Sequence, residues 1–215
     1  MIEGMIRITK VLVTIPGYGQ MDPVGRNILQ ENGCEIVEVS PDVPRPLGEE
    51  QIIKLLPGVK GLIVNMEKIT PLVLDHAEDL EVIARFGVGY DNVDVKAATE
   101  RGIAVCNVPG ANKEAVADFT FGLIIASARQ ILTSATDLKQ KGKWNSVIGV
   151  NVYGKTLGIV GLGQIGKAVA RRAKGFNMNI LACEISPDHD FVQELGIELV
   201  SLEELLRRSD FVTLH

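Results

Sequence analysis

A glycine-rich turn between a strand and a helix constrains this chain more than any other feature. Gly161, Gly163 and Gly166 form the pattern Gly-x-Gly-x-x-Gly directly after the β-branched run 156–160. An acid, Glu184, follows roughly twenty residues on. Gly161 permits a tight turn at the strand end, Gly163 lets a pyrophosphate approach the backbone, and Gly166 lets the helix pack closely on the strand. Strand, helix and acid together predict a dinucleotide-binding α/β unit rather than a turn needed only for packing.

The same unit predicts which groups would hold the dinucleotide. A pyrophosphate at a helix N-terminus meets free N–H groups and a partial positive charge, so the backbone amides of Gln164 and Ile165 are the expected donors. Glu184 ends the second strand, where its carboxylate can accept both ribose hydroxyls and would repel a 2′-phosphate. The sequence therefore predicts NAD rather than NADP. His215 ends a later strand at the same edge and is expected to line the adenine side of the cofactor.

Composition excludes several other classes of protein. The 215 residues carry a net charge of −5 and are 46% hydrophobic, which excludes a disordered chain and disfavours a nucleic-acid binder. No apolar run approaches the roughly 20 residues that span a bilayer. Three widely spaced cysteines fit neither a disulfide framework nor a metal site. We therefore expect a cytoplasmic protein with no membrane partner, no nucleic-acid partner and no metal.

Short Val- and Ile-rich runs alternate with amphipathic stretches along the whole chain. This alternation predicts an α/β fold with parallel strands and helices on the sheet faces. In the first half, the predicted strands are 10–15, 35–39, 61–66, 82–86 and 103–108, and the predicted helices are 23–31, 49–55, 70–76 and 95–101. The pattern breaks at Pro109, after which Asn112 is expected to cap a helix that ends near Arg129. That helix is apolar around so much of its circumference that we expect burial on more than one side, between two domains or between two subunits.

After a further predicted helix, 133–141, a second α/β series begins at Thr156. Its predicted strands are 156–160, 178–183, 198–200 and 211–214, with a helix 202–208 capped by Ser201. The helix that follows the glycine motif is expected to end at residue 174 with Gly175 as its C-cap. His189, between two aspartates, is expected to lie in a solvated loop.

Several further segments share residues, order and spacing with one family of enzymes. They are Arg85-Phe-Gly87-Val-Gly89-Tyr-Asp91-Asn92-Val-Asp94, Asn107-Val-Pro109-Gly110-Ala-Asn112, Gly154-Lys-Thr-Leu-Gly158-Ile-Val-Gly161-Leu-Gly163-Gln-Ile-Gly166 and Ser209-Asp210-Phe-Val-Thr-Leu-His215. From about residue 60 onward the chain resembles the NAD-dependent D-2-hydroxyacid dehydrogenases, and within them the D-3-phosphoglycerate dehydrogenase branch. The resemblance implies reversible hydride transfer between nicotinamide and C2 of a D-2-hydroxy acid, with 3-phosphoglycerate of serine biosynthesis as the expected substrate.

The resemblance also implies the domain organisation. A flavodoxin-like substrate domain would occupy residues 1–108 and be completed by the C-terminal end of the full chain. A doubly wound Rossmann domain for the nucleotide would begin with residues 109–215, and the protein would form a homodimer through this domain. Trp144 is one candidate contact of that dimer; alternatively, it packs on a loop within its own subunit. The Arg, Glu and His that act in catalysis in this family lie further downstream. We therefore expect no catalytic residue within these 215 residues, and expect their length to be that of a fragment.

The substrate residues are carried over from the family position by position. The amides of the loop 87–89, which are those of Gly87, Val88 and Gly89, would hold the substrate carboxylate, and Val88 would also contact the cofactor. Arg85 and Arg129 match basic positions near a substrate phosphate, although an Arg at a helix end can equally compensate the helix dipole.

One position departs from the phosphoglycerate dehydrogenase pattern, because Asn65 stands where that branch has Arg. A phosphate dianion is best held by Arg forks, which Lys68 can replace only as a point charge. Two alternatives therefore remain beside 3-phosphoglycerate: another D-2-hydroxy acid such as glyoxylate or glycerate, and a non-catalytic NAD-sensing protein of the same fold.

Overall fold

The computed structural model describes residues 9–144 and 147–215. The chain divides into two compact units, Met1–Ala111 (unit 1) and Asn112–His215 (unit 2). Each unit has its own parallel sheet and its own hydrophobic core. The architecture is therefore α/β, as the alternating pattern predicts.

Unit 1 is built around a five-stranded parallel sheet with the strand order β2-β1-β3-β4-β5, which is the flavodoxin-like order. Its elements are β1 Thr9–Val13, α1 Val24–Glu31, β2 Cys34–Glu38, α2 Glu49–Leu55, β3 Val59–Val64, α3 Pro71–Asp75, β4 Val82–Arg85, α4 Val95–Glu100 and β5 Ala104–Cys106. The core joins the central strands to helices α2, α3 and α4, whereas α1 contributes no buried residue. The carboxyl ends of β1, β3, β4 and β5 thus meet at one edge of this sheet.

Unit 2 holds a four-stranded parallel sheet with the order β8-β7-β6-β9, which matches the first four strands of a doubly wound nucleotide-binding sheet. Its elements are α5 Lys113–Ala128, α6 Ile131–Lys141, β6 Thr156–Val160, α7 Gln164–Gly175, β7 Asn179–Cys183, α8 His189–Leu195, β8 Glu198–Leu199, α9 Leu202–Arg208 and β9 Phe211–Leu214. Helix α5 packs on this core through Phe121, whose ring stacks on Phe176 at 5.1 Å between centroids.

Two local predictions for unit 2 are wrong. Helix α7 includes Gly175 and has Phe176 as its C-cap, and the left-handed residue beyond it is Asn177, with φ 51°. The helix thus runs one residue further than predicted, and its C-cap residue Phe176 stacks on Phe121. His189 opens helix α8 instead of lying in a loop, and the Asp188 carboxylate caps that helix by accepting from the Phe191 N–H at 3.3 Å.

Helix α5 is not covered all round in this structure. Ala117, Phe121 and Ile124 are buried, whereas the side chains of Phe119 and Leu123 are 67% and 54% exposed. The expected cap residue Asn112 is at the N-cap position but makes no side-chain capping bond. Ser201, by contrast, caps α9 by accepting from the Glu204 N–H at 3.2 Å.

Neither a membrane span in a single helix nor a metal-binding cluster is found in the described ranges. Helices α5 and α6 reach a span's length and apolarity only as a pair, and that pair is bent by 64°. No group of three or more His, Cys, Asp or Glu side chains is positioned to hold a metal ion there.

Candidate functional site

The three motif glycines of unit 2 differ in what surrounds them. A Cβ on Gly161, where φ is +90°, would overlap the carbonyl oxygen of His215, and a Cβ on Gly166 would overlap the carbonyl oxygen of Gly161. Both glycines therefore allow close packing of main chain on main chain. Gly163 is different, because no heavy atom lies within 4 Å of its ideal Cβ position. The space beside Gly163 is open at the start of α7.

The start of α7 has free hydrogen-bond donors that face this open space. Gly163 is the N-cap residue and supplies no side-chain acceptor. The N–H groups of the first helical turn, which include those of Gln164 and Ile165, have no acceptor within an α-helix. Free amides, the positive end of the helix dipole and the absence of a Cβ are the features that hold a pyrophosphate. The residues present therefore fit the phosphates of a dinucleotide.

Glu184, directly after β7, turns its carboxylate toward the glycine loop. Its two oxygens accept from the Leu162 N–H at 2.6 Å and from the Ser186 N–H at 3.0 Å. The backbone N–H groups of Ser186 and Leu162 hold the pKa of Glu184 below its ordinary value, so the group is ionised at neutral pH. An ionised carboxylate is an acceptor only, which suits a ribose hydroxyl and not a phosphate. The main chain of His215 lies next to Gly161 and donates from its N–H to the Val160 carbonyl at 2.9 Å.

The loop after β4 in unit 1 presents two free amides. The N–H of Gly87 is used, since it donates to the Arg85 carbonyl at 2.8 Å. The N–H groups of Val88 and Gly89 have no acceptor within residues 9–144 and 147–215, and Gly89 is exposed. Two of the three backbone N–H groups that were predicted to bind the substrate carboxylate are thus available, and they belong to consecutive residues.

Arg85 and Asn65 lie together beside this loop. The Arg85 guanidinium donates to the Asn65 side-chain oxygen at 3.5 Å and to the Phe86 carbonyl. It also lies so close to Gly87 that a Cβ there would overlap Nη1. The Arg85 guanidinium therefore lies against Gly87 at the start of this loop, with Asn65 as its neutral side-chain partner.

Glu67, a residue that sequence reasoning missed, holds the loop containing Asn65 by hydrogen bonds. Its side chain is 2% exposed, and its carboxylate accepts from the Thr14 hydroxyl at 2.8 Å and from the Asn65 N–H at 3.0 Å. The Asn92 amide donates to the carbonyls of Asn65 and Glu67 at 3.1 and 2.7 Å. Polar residues that directly follow parallel strands are the only sequence signal for this network, and they do not reveal which pairs meet.

Two residues that the sequence predicted near a substrate phosphate, Lys68 and Arg129, lie in other surroundings. Lys68 is exposed and lies in a depression with Asp91 and Asp94. Arg129 is an exposed residue of unit 2 at the C-cap of α5, where it fits compensation of the helix dipole. In unit 1 the structure therefore brings Asn65, Arg85 and Gly87 together and leaves Lys68 apart.

The glycine motif, its acid and the strand order of unit 2 define a dinucleotide-binding protein of the Rossmann type, here joined to a flavodoxin-like unit. The family model of the D-isomer specific 2-hydroxyacid dehydrogenase, catalytic domain, matches residues 11–209. The chain belongs to this family of oxidoreductases, whose members depend on NAD or NADP.

Individual relatives carry different names. The chain is 51% identical over 177 residues to a glyoxylate reductase of Korarchaeum cryptofilum, covering 79% of this chain and 53% of that protein. It is 40% identical over 214 residues to a D-3-phosphoglycerate dehydrogenase of Methanocaldococcus jannaschii, covering 97% of this chain and 38% of that protein. Among solved structures, the TT0316 protein of Thermus thermophilus superposes with a TM-score of 0.81 at 37% identity, over 96% of this chain and 64% of that one. The chain thus spans about half the length of these relatives.

Proposed function

We propose that this chain is the cofactor-holding and carboxylate-holding part of an NAD-dependent D-2-hydroxyacid dehydrogenase. Unit 2 is the proposed nucleotide domain and unit 1 the proposed substrate domain. The observation that carries the proposal is the open space at Gly163, bordered by the free amides of α7 and faced by an ionised Glu184. Open space alone is not distinctive, since Gly154 and Gly175 also have nothing within 4 Å of an ideal Cβ position. At Gly163 the space adjoins the first-turn amides of α7, where a pyrophosphate would fit.

The bound nicotinamide would supply a hydride acceptor or donor, and the residues of this chain bind and orient. The amides of Gln164 and Ile165 would hold the pyrophosphate, while His215 would line the adenine side. The Glu184 carboxylate would accept the ribose hydroxyls and, being ionised, would oppose the extra charge of a 2′-phosphate. NAD is therefore the preferred dinucleotide. The free amides of Val88 and Gly89 would bind the carboxylate of the 2-hydroxy or 2-oxo acid, with Val88 also against the cofactor.

Among the substrates considered above, the unit 1 loop favours one without a phosphate. A phosphate dianion is held best by several Arg forks. Here Arg85 is a single cation that already donates to Asn65 and to its own backbone, and Lys68 lies apart beside two aspartates. A small unphosphorylated acid such as glyoxylate needs no second cation, since its one carboxylate is matched by the two free amides.

We also propose that the protein is a homodimer formed through unit 2. Large apolar side chains that are exposed in this unit concentrate between α5 and the loop before β6: Phe119, Leu123, Ile131, Leu132, Leu138, Trp144, Ile148, Val150 and Tyr153. So much exposed apolar surface on one unit is typical of a protein–protein interface. The three cysteines are free, which suits the reducing cytoplasm where we expect the enzyme to act.

Steady-state kinetics of the full-length protein test this function. Initial rates of NADH and NADPH oxidation are measured with glyoxylate, pyruvate and 3-phosphohydroxypyruvate. We expect turnover with NADH, a much lower kcat/KM with NADPH, and a higher kcat/KM for glyoxylate than for the phosphorylated acid. No turnover with any 2-oxo acid, together with tight NADH binding, would instead identify an NAD-sensing protein.

A further inference from the structure

Two consecutive peptide groups in the loop after β4 have the same orientation, because donors at the end of β5 bind their carbonyl oxygens. The Val108 N–H donates to the Gly87 carbonyl at 3.1 Å, and the Asn107 side-chain amide donates to the Val88 carbonyl at 2.8 Å. In a trans peptide the N–H points opposite to the carbonyl of the same group. The Val88 and Gly89 N–H groups therefore both point away from the end of β5, side by side.

The two contacts differ in what they depend on. The bond from Val108 is main chain to main chain and survives any side-chain substitution there other than Pro. The Val88–Gly89 peptide is held by a side chain, and no other hydrogen bond of its two polar groups occurs in the described part of the chain. Turning this peptide over changes ψ of Val88 and φ of Gly89, and a glycine accepts φ of either sign at little cost. The direction of the Gly89 N–H thus rests on Asn107.

We infer that Asn107 is a positioning residue for the substrate: it fixes the Gly89 amide in the direction that binds the carboxylate of the 2-oxo acid. This inference rests on the proposed function, because it takes the free amides of Val88 and Gly89 to be the carboxylate site. Asn107 itself need not touch the substrate. Its half-buried amide donates one of its two N–H groups to the Val88 carbonyl, and without that bond the flipped peptide would turn the carbonyl oxygen toward the substrate carboxylate.

The test compares two variants of the full-length protein, Asn107→Ala and Asn107→Asp. Alanine removes the donor, so the peptide populates both orientations. Aspartate has the same shape as asparagine but carries a charge that repels the Val88 carbonyl, so the wrong orientation is favoured. A hydrogen bond to a charged carboxylate corresponds to a factor of roughly 10 to 100 in affinity. We therefore expect KM for the best 2-oxo acid to rise severalfold in Asn107→Ala and by about tenfold or more in Asn107→Asp.

A matched control separates positioning from general loss of structure. Asn32 also donates its side-chain amide to a main-chain carbonyl of unit 1, that of Ile28, at 2.8 Å, and it lies at the exposed end of α1. Asn32→Asp should leave KM for the 2-oxo acid unchanged. The Kd for NADH, measured by fluorescence titration, should be unchanged in Asn32→Asp. In the two Asn107 variants it should rise less than KM, because the proposed nucleotide groups of unit 2 are unaltered and Val88 is one further proposed contact of the cofactor.

The outcomes separate the inference from the function on which it rests. A wild-type protein that fails to reduce any 2-oxo acid refutes the proposed function. A wild-type protein that turns over, with folded Asn107 variants whose KM stays within twofold, refutes only the positioning role. A rise in KM that is equal in both variants and parallels their loss of thermal stability also refutes it, because the role requires Asp to be worse than Ala. If Asn107→Asp does not fold, the decision rests on Asn107→Ala: a severalfold rise in KM with wild-type thermal stability, beside an unchanged KM in Asn32→Asp, supports the role, and a KM within twofold of wild type refutes it.

Discussion

Replacing Gly163 by alanine separates nucleotide binding from folding. Gly163 has φ −69° and ψ −158°, an extended conformation that alanine adopts without strain, and nothing lies within 4 Å of the added methyl group. Alanine is a poorer N-cap than glycine, by less than about 1 kcal/mol. Its smaller unfolded-state entropy offsets roughly 0.4–1 kcal/mol of that loss. The free energy of unfolding of Gly163→Ala should therefore stay within about 1 kcal/mol of the wild-type value.

The effect of the same methyl group on NAD binding should be much larger. It fills the open space beside the free amides of α7, so a pyrophosphate can no longer approach them. Losing one hydrogen bond between an amide and a charged phosphate oxygen costs about 1.5–3 kcal/mol. That cost corresponds to a rise in Kd of roughly 10- to 100-fold. The perturbation thus lowers affinity without a matching loss of stability.

Two measurements on the full-length protein check this prediction: NADH Kd by fluorescence titration, and the free energy of unfolding in urea. Gly175→Ala is the matched control, since that glycine also has nothing within 4 Å of its Cβ position and lies at the far end of the same helix. It should leave the Kd unchanged. Gly166→Ala should instead lose stability, because its Cβ would overlap the Gly161 carbonyl. A folded Gly163→Ala protein that binds NADH within twofold of wild type would refute the assignment of this space to the pyrophosphate.

Three further substitutions probe the rest of the molecule. Glu67→Ala removes the acceptor of the Asn65 N–H and leaves the buried Thr14 hydroxyl with its longer contact to the Ile63 carbonyl at 3.3 Å, so urea unfolding should show a loss of about 2–4 kcal/mol. A loss below about 0.5 kcal/mol, on the order of a neutral surface change, contradicts the network. Phe119→Glu places a charge in the exposed apolar surface of α5, so light scattering should show monomer where the wild type is dimer. The folded-state pKa of Glu184 is lowered, so its stabilisation is present above the unfolded-state pKa and lost as pH falls through the lowered value. Glu184→Gln should therefore be less stable than wild type at pH 7, by less than about 1 kcal/mol, and equal to it in strong acid.

The geometry of the glycine loop and of the acid beside it was predictable because its determinants are local. Gly161, Gly163 and Gly166 act within one turn, and Glu184 is brought to them by one strand pairing, β6 with β7. The pattern of apolar runs likewise predicted the strands of the described chain, because most of them are short apolar segments bounded by turn residues; the two-residue β8 is the weakest of these signals. Features of this kind, which depend on residues close together in the sequence, can be recognised from residue type and spacing alone.

The substrate side was predictable only in part, because its determinants are contacts between distant strand ends. Thr14, Glu67 and Asn92 meet only once β1, β3 and β4 are in register, and nothing in their spacing indicates that they pair. The missed helix α8 has a similar cause. It spans seven residues with Phe191 as its one buried side chain, too short for a periodic pattern, and only its Asp188 cap could have signalled it.

The bond between the Glu184 carboxylate and the Leu162 N–H has a kinetic consequence. If Glu184 holds the ribose as proposed, its carboxylate is already placed by the glycine loop in the free protein, so association would not wait for this side chain to be ordered. Differences in affinity among nucleotides should then appear mainly in their dissociation rates. A carboxylate that accepts from the Leu162 N–H in the free protein would therefore have two effects when replaced, a small loss of stability in the empty loop and a shorter residence time of the proposed nucleotide.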